Sequence, residues 1–277
     1  MREGSAHING AHLHYETAGH GQPLVMIHAG VADSRQWNNE FHAFASRHRV
    51  VRYDMRGYGR SEPVDGEFSH LGDLIALLDH LDVARPIIAM GCSMGGGIAM
   101  DYSLERPADV AALIMVGSGP SGLALDVPMP AKFAEAEAAH TAGDLDLVCE
   151  IETQIWFDGI GRAPDEVDQS MRRLAYAMNH IALTHQKKGL GKRMPDASVP
   201  AASRLGEVRL PVLAIVGEFD IPYIRAAGQH VADNLADATR VDIADAAHLP
   251  NMDHPEEFQR IVAHFIETRV RSQDRLR

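Results

Sequence analysis

A serine stands at the centre of Gly91-Cys92-Ser93-Met94-Gly95, a stretch bracketed by glycines. The apolar run Pro86-Ile87-Ile88-Ala89-Met90 precedes it, and Ile98 to Leu104 follows as a helix stopped before Pro107. A sharp strand-to-helix turn would hold this serine in a strained backbone conformation with its hydroxyl exposed. The positions two before and two after would then pass too close together for side chains. The helix start offers free N–H groups to the oxygen of a reacting carbonyl. The implied chemistry is nucleophilic attack by Ser93, with the N–H of Met94 holding the oxyanion.

A neutral hydroxyl is a weak nucleophile. It needs an adjacent base, itself oriented by a carboxylate. Val212 to Asp220 reads as a strand ending in a turn with two acids. Asp220 lies beyond the C-terminal end of that strand, where the active sites of open α/β sheets sit. Glu218 is the nearer alternative, and is otherwise a solvated turn residue. His248 lies in Ala246-Ala247-His248-Leu249-Pro250-Asn251, after a weaker strand and before the final helix. Among 16 histidines it stands out by this position, after both the serine and the acid. His254, beside Pro255, reads as a flank of the final helix. His248 would take the proton of Ser93, pass it to the leaving group and then activate water. Asp220 would fix the tautomer and balance the imidazolium. Cys92 is the better nucleophile by chemistry but stands one place before the apex, and reads as a packing residue.

Rival sites fit less well. A phosphate loop needs Gly-Lys-Ser/Thr, which is absent, and Gly57-Tyr58-Gly59-Arg60-Ser61-Glu62 lacks the third glycine of a dinucleotide loop. His12 and His14 flank Leu13 and would bind a metal only if a third ligand converged; the sequence offers none. The expectation is no metal and no cofactor.

The elements that must position these residues can be traced by pattern. His12 to Thr17 alternates like a half-exposed strand, and Leu24 to Ile27 is a short buried strand. Trp37, Phe41 and Phe44 share a helical face, and Arg49 to Asp54 reads as a strand. Leu71, Leu74, Ile75, Leu78 and Leu81 mark an amphipathic helix. Ala112 to Val116, Val212 to Val216 and, more weakly, Thr239 to Ile243 are further strands. The last helix puts Phe258, Ile261, Val262, Phe265 and Ile266 on one face. Strands that alternate with helices, several of them apolar on both faces, predict a mostly parallel sheet covered by helices on both sides. Residues 121–205 break the pattern, with no clear buried strand, and read as a helical insertion. The core is then 1–120 with 206–277.

With 277 residues, 45% of them hydrophobic, the chain is long enough for one large core with a modest insertion. Its formal net charge of -12 argues against nucleic acid as a partner. Two cysteines form no disulfide framework, the first residues lack the apolar core of a signal peptide, and no apolar run is long enough to span a bilayer. A cytoplasmic enzyme with no membrane partner is expected, as a monomer or a homo-oligomer.

The chain resembles the α/β-hydrolase superfamily through IHAG at 27–30, DMRGYGRS at 54–61, GCSMGG at 91–96, GEFD at 217–220 and AAHLPNMDHPEEF at 246–258. The last motif and the serine turn look most like 3-oxoadipate enol-lactonases and neighbouring carboxylesterases. The order Ser93, Asp220, His248 is the one this fold uses. The resemblance implies an eight-stranded sheet with a helical lid over the site. It also argues against haloalkane dehalogenases, which carry an aspartate where Ser93 stands. The second oxyanion donor should come from His28-Ala29-Gly30-Val31, with Gly30 ahead of Val31. The family's usual His-Gly pair is His28-Ala29 here, a departure that bears on which N–H points at the oxyanion. His28 itself would stabilise this loop by hydrogen bonding.

In the insertion, Met129, Trp156, Phe157, Met178 and His180 are the bulky residues. They either line the substrate pocket or fix the lid to the core. Lys187 to Arg193 puts four cations in seven residues, fit to meet a carboxylated substrate or to be a solvated loop. The leading reading is a carboxylic ester or lactone hydrolase. The alternatives are a carbon–carbon bond hydrolase or cofactor-free lyase or perhydrolase on the same triad, and a slow hydrolase-like ligand sensor.

Overall fold

The computed structural model describes residues 1–270. Ten strands are β1 (Arg2–Ile8), β2 (Ala11–Ala18), β3 (Pro23–Ile27), β4 (Arg49–Tyr53), β5 (Glu67–Phe68), β6 (Ile87–Cys92), β7 (Val110–Val116), β8 (Lys192–Arg193), β9 (Val212–Gly217) and β10 (Ala238–Ile243). The helices are α1 (Asn38–Phe44), α2 (His70–His80), α3 (Met94–Glu105), α4 (Lys132–Ala142), α5 (Leu145–Thr153), α6 (Gln169–Lys187), α7 (Pro222–Asn234), α8 (Pro250–Asp253) and α9 (Pro255–Phe265).

Eight strands form one sheet in the order β1-β2-β4-β3-β6-β7-β9-β10. The β1–β2 and β2–β4 pairs are antiparallel, and all later neighbours are parallel. The central strands β3, β6 and β9 are buried along their whole length, as continuous apolar runs in a doubly covered parallel sheet must be. One face packs under α2, α3 and α7 through Leu74, Leu78, Ile98, Met100 and Val231. The other packs under α1 and α9 through Phe41, Phe44, Phe258, Val262 and Phe265. The parallel register sets Ile27 against Gly91, so the loops after β3 and β6 emerge side by side.

The strand over His12 to Thr17 is not half-exposed as its alternation predicts. His14, Tyr15 and Glu16 are all buried, because β2 lies between β1 and β4 and its polar side chains find partners there. Arg52 Nη2 donates to Glu16 at 2.8 Å, and Ser61 Oγ accepts the His14 N–H at 2.9 Å.

Between β7 and β9 the chain forms α4, α5, a π-helical turn over Gln154–Asp158, and α6. Ala136, Val148, Cys149, Ile155 and Leu183 give these helices a small core of their own. Both ends of this region meet at one pin. Ser121 Oγ donates to Asp101 Oδ1 on α3 at 2.7 Å and accepts the Ala201 N–H at 2.9 Å. Farther along, β8 pairs with β5 and ties the region to the core near α2.

Candidate active site

Ser93 sits between β6 and α3 at φ 52° and ψ −117°, a conformation that L-residues rarely adopt. The glycines around it are sterically required. A Cβ on Gly91 would lie 2.1 Å from the Gly95 carbonyl oxygen, and one on Gly95 would lie 2.3 Å from the Ile27 oxygen. The bend is held by the Ser93 N–H donating to Val116 O at 2.8 Å and by Ser118 Oγ donating to Ser93 O at 2.7 Å.

His248 leaves the loop after β10, and Asp220 the turn after β9. His248 Nδ1 lies 2.8 Å from Asp220 Oδ2. A carboxylate can only accept, so Nδ1 carries the proton and Nε2 keeps its lone pair for a substrate or nucleophile. Asp220 Oδ1 accepts the Ile221 N–H at 2.8 Å, which fixes the carboxylate plane. Glu218 is elsewhere: its Oε2 accepts the exposed Asp245 N–H at 3.2 Å. Cys92 is enclosed, its Sγ 3.6 Å from His248 O, so His248 lies directly against the residue preceding Ser93. Burial pushes the Cys92 thiol up to about 12, which suits packing and not nucleophilic attack. His254 heads α9 by its backbone, with no side-chain cap bond.

The loop after β3 faces the start of α3. A Cβ on Gly30 would sit 3.6 Å from Met94 Cε. The departure at Ala29 has a structural reason. Its N–H is taken by Gln36 Oε1 at 2.9 Å and its methyl is buried against the sheet, so it has no donor to spare. Among the described residues nothing accepts the N–H of Gly30 or Val31. His28 is neutral by its bonds: Nδ1 donates to Ala29 O at 2.8 Å and Nε2 accepts the Met55 N–H at 2.9 Å. Burial lowers its pKa to match.

A cavity of about 240 Å³ opens on Ser93. Met94, Asp101, Ser118, Ser121, Arg193 and Asp196 line it alongside the serine. Of the bulky residues of 121–205, the structure brings Trp156 to the histidine: its ring lies 4.4 Å from that of His248, and its carbonyl accepts the His248 N–H at 3.2 Å. None of these bulky residues, Trp156 included, lines the cavity on Ser93. Phe157 and Met178 are enclosed in the apolar cluster that joins α6 to the sheet, because that contact buries more surface than an open pocket wall would. His180 turns outward, its Nε2 3.2 Å from the exposed Asp146. Met129 is exposed, and Val31 is half-buried against the sheet.

A family profile described as "Alpha/beta hydrolase family" matches residues 24–261. The chain belongs to the alpha/beta hydrolase family. A 2-hydroxy-6-oxononadienedioate/2-hydroxy-6-oxononatrienedioate hydrolase of Paraburkholderia xenovorans is 28% identical, over 96% of this chain and 93% of that one. The 3-oxoadipate enol-lactonase 1 of Acinetobacter baylyi is 26% identical, over 88% of each. Among solved structures, the enol-lactonase from Burkholderia xenovorans LB400 superposes with a TM-score of 0.75 at 22% identity, over 95% of this chain and 100% of that one, a likeness of fold.

Several residues of this alpha/beta hydrolase escape a motif reading. Gln36 and Asn251 join the Gly30 loop to the His248 loop: Asn251 Nδ2 donates to Gln36 O at 2.8 Å and to Glu40 Oε2 at 3.0 Å. Arg162 clamps the histidine loop to the π-helical turn. It bonds Phe157 O at 2.9 Å, Asp158 O at 2.6 Å and Asp253 Oδ2 at 2.8 Å, and also reaches Asp245 O. Asp253 Oδ2 in turn accepts the Ala247 N–H at 3.0 Å. The signal for Asn251 was its place three residues after His248; Arg162 had none. Among the described residues no helix is long and apolar enough to cross a membrane.

Proposed function

We propose that this chain hydrolyses a carboxylic ester or lactone through an acyl-enzyme on Ser93. The observation that carries the reading is His248, held at Nδ1 by Asp220 and set against the residue before a strained, half-buried serine. Ser93 Oγ attacks the carbonyl carbon while His248 Nε2 takes its proton. The tetrahedral oxyanion is held by the N–H groups of Met94 and Gly30. Collapse expels the alcohol, which receives the proton from His248. Water, deprotonated by His248, then releases the acid and restores the serine. Each step conserves the single proton that His248 shuttles, and Asp220 balances the transient imidazolium. The relative named an enol-lactonase supports the lactone reading.

Residues 121–205 act as the lid over this site. Trp156 against His248 and Arg193 beside Met94 support that role. Two buried free thiols, Cys92 and Cys149, fit a cytoplasmic location.

A second reading keeps the triad and cleaves a carbon–carbon bond next to a ketone. The relatives named for hydrolysis of 2-hydroxy-6-oxononadienedioate favour it. A fluorophosphonate probe, followed by mass spectrometry, tests the shared part: the label is expected on Ser93, and a label elsewhere or none would refute it. A rapid burst of nitrophenol from a p-nitrophenyl ester, followed by slower turnover, then marks the acyl-enzyme.

A further inference from the structure

The cavity on Ser93 holds more acceptors than donors. Each hydroxyl in its wall beside the serine has already given its one hydrogen: Ser118 Oγ to Ser93 O at 2.7 Å, and Ser121 Oγ to Asp101 Oδ1 at 2.7 Å. Two carboxylates, Asp101 and Asp196, share that wall with one cation, Arg193. The cation is engaged, with Nη2 2.5 Å from Asp196 Oδ2 and Nη1 2.9 Å from Met94 Sδ. The other Asp196 oxygen accepts the Leu71 N–H at 3.0 Å. Two further cations of the run Lys187 to Arg193 are turned away: Lys188 pairs with Glu62, and Lys192 Nζ lies 2.9 Å from Glu67, both at the surface. The negative charge of Asp101 is left over.

Asp101 stands on α3 beyond Gly97 and Ser93 at four-residue spacing, so the three follow one face, about 12 Å from serine to aspartate by helical rise. Gly97 leaves the space between them open: the nearest neighbour of an added Cβ there is 3.7 Å away. Asp101 is only 2% exposed, yet among the described residues no cation lies within ion-pair distance of it, and Oδ1 alone has a hydrogen-bond partner. Its Oδ2 is not among the unpartnered side-chain atoms closed off from solvent, and the residue borders the cavity. Burial raises its carboxyl above the usual range. The bond from Ser121 opposes that rise, and the charges of Asp196 and Glu105 add to it. Arg204, the cation acting on it from a distance, is paired with Glu105 and Glu207. A buried carboxylate without a counter-charge is costly, and a cationic donor reaching Oδ2 from the cavity would complete it.

We propose that Asp101 is a specificity-determining residue, and that the cavity on Ser93 takes substrates whose non-reacting end is a protonated amine and rejects those that end in a carboxylate. The inference rests on the acyl-transfer reading only for which end of that molecule reacts. The cavity, about 240 Å³, and the two helical turns between Ser93 and Asp101 suit an unbranched chain of several carbons between carbonyl and amine. An ammonium gains both a charge-assisted hydrogen bond and Coulomb attraction from Asp101, where a neutral hydroxyl gains a weaker bond alone. A carboxylate in the same place would meet a like charge, with Arg193 already held by Asp196.

The test is binding to the Ser93→Ala protein, measured by calorimetry. The probes are methyl 6-aminohexanoate, methyl heptanoate and monomethyl pimelate, which differ only in an ammonium, methyl or carboxylate end. The ammonium ester is expected to bind about tenfold more tightly than the methyl-ended one, and the carboxylate ester more weakly than both. Asp101→Asn keeps an acceptor for Ser121 but removes the charge, and on that background is expected to bring the ammonium-to-carboxylate ratio close to one. Arg193→Gln is expected to move the ratio the other way, by leaving Asp196 uncompensated. Opposite signs from the two variants are a result that a purely structural role for Asp101 would not give. A carboxylate ester that binds as tightly as the ammonium ester, a ratio that survives Asp101→Asn, or a ratio that falls in Arg193→Gln overturns the proposal. If Asp101→Asn does not fold, Asp196→Asn removes one charge from the same wall, and an unchanged ratio there overturns it too. Turnover of p-nitrophenyl acetate by the native enzyme separates the two claims. Turnover without the binding preference sinks the specificity alone, and the preference without turnover sinks acyl transfer alone.

Discussion

His248 and Asp220 meet through Nδ1 and Oδ2 at 2.8 Å, and their side chains are only 1% and 0% exposed. Buried so completely, the carboxylate holds His248 and the Ile221 N–H without competition from water. In Asp220→Asn the amide can present an N–H where an acceptor is needed, which reverses the tautomer. The expected loss in kcat is about 10⁴-fold with the fold retained. Steady-state kinetics beside circular dichroism checks this, and a loss below about tenfold would remove Asp220 from the mechanism.

The backbone at Ser93, φ 52° and ψ −117°, stores strain that glycine would relieve. Ser93→Ala and Ser93→Gly should both abolish turnover. They should differ in stability, with the glycine variant the more stable by about 1 kcal/mol. Urea midpoints compare them directly, and a less stable glycine variant would contradict the strain.

Two neighbouring glycines make a sharper contrast. Gly95 has no room for a Cβ, which would fall 2.3 Å from the Ile27 oxygen, whereas at Gly97 the nearest atom is 3.7 Å away. Gly95→Ala is expected to cost about 3 kcal/mol or more by pushing two loops apart. Gly97→Ala is expected to be neutral or to stabilise by up to about 1 kcal/mol through helix propensity. Thermal melts of both variants decide it; equal effects would show that the turn is looser than described.

Arg162→Met should uncouple the histidine loop from the π-helical turn. It leaves Asp253, whose side chain is 4% exposed, without its cation. Breaking one partner of a buried pair costs about 3–5 kcal/mol. With His248 less firmly held, kcat should fall while KM changes little. A variant of native stability would show that Asp253 relaxes to solvent.

Glu40 gives a pH prediction. Burial raises its carboxyl to about 7, against the stabilising bonds from Asn251 and Gln259. The folded chain therefore holds a proton more tightly than the unfolded chain, whose value is 4.5. Stability from this group is full below pH 4.5 and is lost as pH rises through 7, by a few kcal/mol. His70 works in the opposite sense: its value falls from 6.5 to about 3, so its contribution is lost as pH falls through that window. The advantage of the native protein over Glu40→Gln should shrink from pH 5 to pH 8. Denaturant midpoints at the two values check it, and an advantage that grows with pH reverses the assignment.

The sheet was legible because its central strands are unbroken apolar runs and its site residues sit in loops at strand ends. The serine turn was legible because only glycine fits two places on either side. What escaped reading depends on three-dimensional neighbours. His14 and Glu16 look like the exposed face of a strand until Arg52 is seen beside them. Met178 and His180 are two residues apart on α6, yet Met178 is enclosed in the apolar cluster on the sheet and His180 turns toward solvent. Trp156, one residue before Phe157, lies in the π-helical turn, and its ring reaches that of His248.

The bond from Gln36 to Asn251 spans 215 positions of the chain. On a translating ribosome, residues 28–36 appear long before their partner does. Until the segment with Asn251 is made and docks, the loop that carries Gln36 lacks this brace. On the proposed mechanism, a nascent chain that has not yet reached His248 is chemically inert, and activity begins only once α8 and α9 have docked.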